Sequence, residues 1–166
     1  VMIGSGAGES VTTSGNNVLI GGNAAKRIVD SNSNENLVNG YNAGSYMGQS
    51  STTPQQNTIV GTEAAFSMKE GHANSIFGYN AGTNVDGDSN VCIGRLAGQG
   101  TYNSCTGNYN TCLGEYSLSL FANGARNVAV GYYAGGATTT GGQNVFIGER
   151  AGYLAGHLMQ EIRQML

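Results

Sequence analysis

The chain has 166 residues, a net charge of −3, 28 glycines, a single proline and only 10% charged side chains, against roughly 25% in an average globular protein. It carries no basic block, so no nucleic-acid partner is expected. No apolar run approaches the roughly 18 residues of a membrane-spanning helix, so no membrane insertion is expected either. A glycine-rich, charge-poor chain could be disordered, but a disordered chain has no need of a fixed apolar register, and this one has such a register.

Nine glycines set that register: Gly4, Gly21, Gly40, Gly61, Gly78, Gly94, Gly114, Gly131 and Gly148, at spacings of 17, 19, 21, 17, 16, 20, 17 and 17 residues. Around them runs Asn-x-x-apolar-Gly-x-x-Ala-Gly, as in NVLIGGNAA, NSIFGYNAG, NVCIGRLAG, NVAVGYYAG and NVFIGERAG. A period near 17 over the whole chain points to a coil of stacked turns. The expected fold is all-β, a parallel β-roll or β-solenoid of about nine turns over residues 1–152. At about 4.8 Å per rung it would be about 43 Å long. Val1 falls inside the first copy, which reads as a piece of something longer.

Each copy predicts a short strand just before its glycine. The residues three before (Val1, Val18, Leu37, Thr58, Ser75, Val91, Thr111, Val128, Val145) and one before (Ile3, Ile20, Asn39, Val60, Phe77, Ile93, Leu113, Val130, Ile147) share one face. Being mostly β-branched or apolar, this face is expected to look inward. The residue between them then points out, yet it is apolar in every copy: Met2, Leu19, Val38, Ile59, Ile76, Cys92, Cys112, Ala129 and Phe146. A thin coil has one inside, so an outer apolar stripe requires a partner. The expected subunit interface is therefore Leu19, Val38, Ile59, Ile76, Cys92, Cys112, Ala129 and Phe146, packed against identical chains about a closed axis, with three chains favoured.

An asparagine stands four before the glycine in every copy that includes the position: Asn17, Asn36, Asn57, Asn74, Asn90, Asn110, Asn127 and Asn144. Stacked asparagines can form an amide ladder and adopt left-handed turn geometry, and the glycine allows a bend that a Cβ would block. Alanine three after the glycine fills a narrow interior; the seventh copy departs with Ser117 and Leu118. Cys92 and Cys112 occupy one repeat position in successive copies and are expected to be buried free thiols. Cys105, in a variable segment, is expected to be unpaired.

The connections at 26–35, 45–56 and 99–109 are the longest, and loops of variable length on a regular scaffold are where recognition sits. Their aromatic and soft residues, Tyr46, Met47, Tyr102 and Tyr109, are candidate receptor contacts. Tyr116 and Tyr133, two residues past their glycines in adjacent rungs, are added as exposed stacking residues. Arg95 and Glu115 are expected to be rung neighbours. Asp86 and Asp88 read as turn residues, and Glu149 beside Glu115 has no supporting pattern, so no catalytic residue, no metal site and no cofactor is assigned. No phosphate loop and no Ser-His-Asp set can be built, and the flat threonine arrays that ice binding needs are missing.

The tail changes period. Ala155, Leu158, Ile162 and Met165 recur at 3, 4 and 3 residues, a heptad seam. Residues 153–166 are expected to form a short C-terminal helix, with Leu158, Ile162 and Met165 adding to the subunit interface, either as a cap on the last rung or as the start of a coiled stalk.

NVAVGYYAG beside NVFIGERAG resembles the head repeats of trimeric autotransporter adhesins, the YadA-like heads, and the repeat arrays of phage tail fibre proteins. The resemblance runs over nearly the whole solenoid. It implies a left-handed trimeric β-roll with an adhesive outer surface. The expected function is a non-enzymatic fibre segment of a phage tail, extracellular on the virion, whose loops meet a host cell-surface glycan or protein receptor. The head of a bacterial surface adhesin is the first alternative, and a glycan-cleaving tailspike the second.

Overall fold

The computed structural model describes residues 1–11, 15–28, 33–49, 53–101 and 105–153. Nine strands follow one another: β1 (Met2–Ile3), β2 (Val18–Ile20), β3 (Leu37–Asn39), β4 (Thr58–Val60), β5 (Ser75–Phe77), β6 (Val91–Ile93), β7 (Thr111–Leu113), β8 (Val128–Val130) and β9 (Val145–Ile147). They form one nine-stranded sheet in chain order. Every neighbouring pair is parallel. The fold is thus an all-β parallel solenoid with about eight full turns between its nine strands. Among the described residues there is no helix. The tail that was expected to be helical lies outside them, with Leu158, Ile162 and Met165.

The repeat register is the sheet register. Leu19 pairs with Val38, Val38 with Ile59, Ile59 with Ile76, Ile76 with Cys92, and Cys92 with Cys112. The direction of the faces, however, is opposite to the expectation. Leu19, Val38, Ile59, Ile76, Cys92, Cys112 and Ala129 are 0% exposed and line the inside; Phe146 packs against the same core. The seven buried side chains offer no surface to a partner chain, and Phe146 in the last strand is only partly buried. The residues on either side of them face out instead, with Leu37, Phe77, Ile93, Leu113, Val145 and Ile147 all exposed.

The reason lies in the width of the coil. A three-residue strand gives one inward position if its middle residue points in and two if its ends do. The interior is already occupied by the turn that follows. Ala24, Ala43, Ala64, Ala81, Ala97 and Ala134, three past their glycines, are 0% exposed. Seven past the glycine comes a second buried column, Ile28, Met47, Met68, Val85 and Phe121. One strand side chain per rung fills what is left. The seventh rung departs from the pattern: Ser117 stands in the alanine position and Leu118 follows it, both fully buried, in the rung whose strand carries the small Cys112.

The glycine corner is tied to its neighbours. Gly78 has φ +138, and a Cβ there would lie 2.5 Å from the carbonyl oxygen of Gly94 in the next rung. Only a residue without a side chain permits both the dihedral and the approach. On the other side of each strand the amide ladder forms as expected. The backbone N–H and Nδ2 of Asn57 both donate to Asn36 Oδ1, at 3.1 and 3.0 Å, while Nδ2 also donates to the Gly71 carbonyl at 2.9 Å. The double donation to the preceding asparagine recurs at Asn36, Asn74, Asn110, Asn127 and Asn144. The left-handed backbone, by contrast, belongs to the residue before each asparagine, such as Glu35 (φ 60), Gln56 (φ 59) and Tyr109 (φ 60). The side-chain amides hold that strain in place by satisfying the buried backbone around it.

Candidate receptor-contact surface

Past the anchor glycine the chain runs through a tight turn in which every second residue has positive φ, as at Tyr116 (φ 57), Leu118 (φ 44) and Tyr133 (φ 55). Alternation of this kind sends the alanine inward. It leaves the first two residues after each glycine on the outer surface, where successive rungs stack them in columns.

The best-populated part of that surface is an aromatic cluster over the last three rungs. Tyr116 and Tyr133 stack face to face, with centroids 4.5 Å apart and planes 5° from parallel. Tyr153 meets Tyr133 edge-on at 5.4 Å. Tyr132 closes on Tyr133 and Tyr116 in the same edge-on fashion. Gly136 makes room for this, because a Cβ there would come within 3.2 Å of both the Tyr133 and Tyr153 rings. The guanidinium of Arg95 covers Tyr116 at 4.9 Å while pairing with Glu115. Arg95 and Glu115 are thus rung neighbours as expected, and both are half exposed, so solvent screens the pair and it adds little to stability. Packing pushes the Tyr133 phenol above its ordinary range, by desolvation first and then by the tyrosines around it.

The loop candidates separate. Tyr46 is half-buried, with Phe66 edge-on at 5.0 Å and Arg27 over its ring at 4.5 Å. Tyr109 is 58% exposed, with Arg126 at 5.8 Å. Met47 is not a surface contact: it is 0% exposed and belongs to the second buried column. The sequence carried a signal for this, since Val11, Ile28, Met47, Met68, Val85 and Phe121 all stand seven past an anchor glycine. Tyr102 lies outside the described residues.

The remaining reactive groups are engaged in structure. Cys92, Cys105 and Cys112 are buried free thiols. The neighbouring Cys92 thiol, then burial, pushes the Cys112 thiol up; burial does the same to Cys105, whose Sγ also donates to the Phe121 carbonyl at 2.9 Å. Neutral, dry thiols are poor nucleophiles and poor metal ligands. Asp86 Oδ1 accepts the Lys69 N–H at 2.6 Å, and Asp88 Oδ1 accepts the His72 N–H at 2.8 Å, so both carboxylates bridge one rung to the last. Burial raises the Asp86 carboxyl above the ordinary carboxylate range, against the lowering effect of that backbone bond. Among the described residues no group of three His, Cys, Asp or Glu could hold a metal ion. Among the described residues no helix is long and apolar enough to cross a membrane.

Comparison with protein-family models, with curated proteins and with solved structures gives no match. The functional reading therefore rests on the surface itself.

Proposed function

We propose that the chain is a structural, adhesive fibre segment without enzymatic activity, working as a homotrimer: part of a phage tail fibre, extracellular on the virion, that carries variable loops to a host cell-surface glycan or protein receptor. The observation that supports it is the outer face of the sheet. Leu37, Phe77, Ile93, Leu113, Val145 and Ile147 are between 37% and 70% exposed on a single chain; the column one before the glycine is apolar from Val60 through Ile147, while Thr58, Ser75 and Thr111 interrupt the column beside it. An apolar face of that length needs a cover, and identical chains about a threefold axis would supply one to each copy. The interface residues are then these outward ones, in place of the inward Leu19 column. The recognition surface would be the turn columns and connections on the far side of the glycine corner, where Tyr46, Tyr109 and the Tyr116–Tyr133 cluster sit.

The head of a bacterial surface adhesin is the second reading. The same apolar face supports it, and a coiled stalk with a membrane anchor elsewhere in the gene would favour it. A glycan-cleaving tailspike draws no support from Asp86 and Asp88, which bridge rungs through the backbone.

Light scattering of the purified protein tests the proposal. Three times 17.0 kDa is expected for the wild type, and 17.0 kDa for a folded Ile93→Asp, Leu113→Asp variant. A folded wild-type monomer would overturn it.

A further inference from the structure

The stacked tyrosines are poorly suited to hold a sugar. Aromatic side chains bind pyranose rings through their faces. In the cluster one face of Tyr116 meets Tyr133, Arg95 also lies over the Tyr116 ring, and Tyr153 and Tyr132 crowd Tyr133. What this cluster offers outward is ring edges and hydroxyls.

Two other tyrosines are different. Tyr41 and Tyr79 directly follow Gly40 and Gly78. They are 58% and 50% exposed. Among the described residues neither ring has an aromatic or cationic partner, and neither hydroxyl a hydrogen bond. Strands β3, β4 and β5 are consecutive in register, Asn39 with Val60 and Val60 with Phe77, so Tyr41, Thr62 and Tyr79 stand one above another in successive rungs. The two rings are then two rungs apart, about 9.6 Å at about 4.8 Å per rung. Thr62, short and exposed, leaves the space between them open. Gly22 gives the Tyr41 ring its room on the other side, since a Cβ there would reach 3.1 Å from Cδ2. The next residue in each rung is polar: Asn42, Glu63 and Asn80, with φ of 55, 56 and 52. They share a backbone conformation and form a polar margin, in which Asn42 Oδ1 already accepts the Nδ2 N–H of Asn23 at 3.0 Å and its own amide N–H groups remain to donate. Among the described residues Glu63 has no ion pair.

We propose that Tyr41, Thr62 and Tyr79 form a binding strip for a linear polysaccharide lying along the coil axis. The two rings act as stacking platforms for alternate sugars, and Asn42, Glu63 and Asn80 bond the hydroxyls along one edge. The match is one of period: a pyranose unit in an extended chain is about as long as one rung of the solenoid, so platforms on every second rung meet every second sugar. A neutral or basic glycan fits the single carboxylate better than an acidic one. This inference rests on the receptor-binding reading above, and it moves the glycan from the Tyr116–Tyr133 cluster to the rungs of β3–β5.

An array of short linear oligosaccharides, probed with wild type, a Tyr41→Ala, Tyr79→Ala variant and a Tyr116→Ala, Tyr133→Ala variant, tests it. Both exposed-ring changes at the strip should leave the thermal melting curve unshifted. The expected result is binding by the wild type, at least about tenfold weaker binding by the strip variant, and retained binding by the cluster variant. Wild-type binding that the strip variant keeps would overturn the strip while leaving the adhesive reading in place. No glycan bound by the wild type would overturn the strip together with the glycan form of that reading, leaving a protein receptor.

Discussion

Ile76 and Phe77 are neighbours in one strand, both large and apolar, yet Ile76 is 0% exposed and Phe77 is 37% exposed. Ile76 is a core residue of its own chain. Phe77 belongs to a face that the single chain leaves uncovered. The difference is made by what flanks them: Asn74, held in the amide ladder, and Gly78, folded against Gly94, aim the middle residue of the strand inward. Apolarity alone does not tell the core face from the outer face in a coil this thin; the corners hold one inward and the other out.

The corners should therefore be the most sensitive part of the rung. Gly78→Ala would place a Cβ 2.5 Å from the Gly94 carbonyl oxygen at a φ of +138, and neither backbone can yield without dragging its own rung. A loss of at least about 4 kcal/mol is expected, enough to prevent folding. Denaturant melts or the soluble yield would show it. A variant as stable as wild type would break the argument that the corner aims the strand.

Asn74→Ala comes next. Its Oδ1 accepts the Asn90 N–H at 2.8 Å, and its Nδ2 serves Asn57 Oδ1 and the Gly87 carbonyl. Leaving buried backbone groups unpaired should cost about 3 kcal/mol, measured by urea unfolding.

Substitution within the strand sharpens the comparison directly. Ile76→Ala should cost about 3 kcal/mol in unfolding of the chain whatever its association state. Phe77→Ser should cost less than about 1 kcal/mol in the folded monomer but shift the proposed trimer toward 17.0 kDa in light scattering. Equal effects on both measurements would mean that the two faces are not distinct in role.

The smallest effect is expected at Asp86, one rung connection away. Its folded-state carboxyl titrates above the ordinary carboxylate range because it is partly buried. The ionised form is thus the less favoured one in the fold, and the protonated form's contribution is lost as pH rises through the folded value. Asp86→Asn should be slightly more stable than wild type at neutral pH and indistinguishable from it well below the ordinary carboxylate range. A wild type whose advantage grows with pH would reverse the sign and refute the burial argument.

Much of the fold was legible because the repeat writes it many times over. The asparagine column, the glycine corners, the alanine filling and the stacking of Cys92 on Cys112 all follow from residue type at fixed spacing. Less could be read of the surface. Met47 looked like a loop residue because its connection is long, although its place seven past Gly40 matches Ile28 and Met68. The left-handed residues before the asparagines, among them Glu35 and Gln56, share no side-chain type, so no pattern marks them. That Tyr116 and Tyr133 occupy each other's faces while Tyr41 and Tyr79 stay free is a matter of ring orientation, which spacing does not encode.

The sequence by itself determined the solenoid, its parallel register and the chemistry of its corners, because each rung repeats the same local demands and neighbours satisfy them in kind. Only the tertiary structure decided which side of the strand is the inside. Alternation offers two equivalent choices to a three-residue strand; volume permits only one of them, because Ala and the second buried column already occupy the interior and leave room for one side chain from each strand, and the corners hold the strand in that choice.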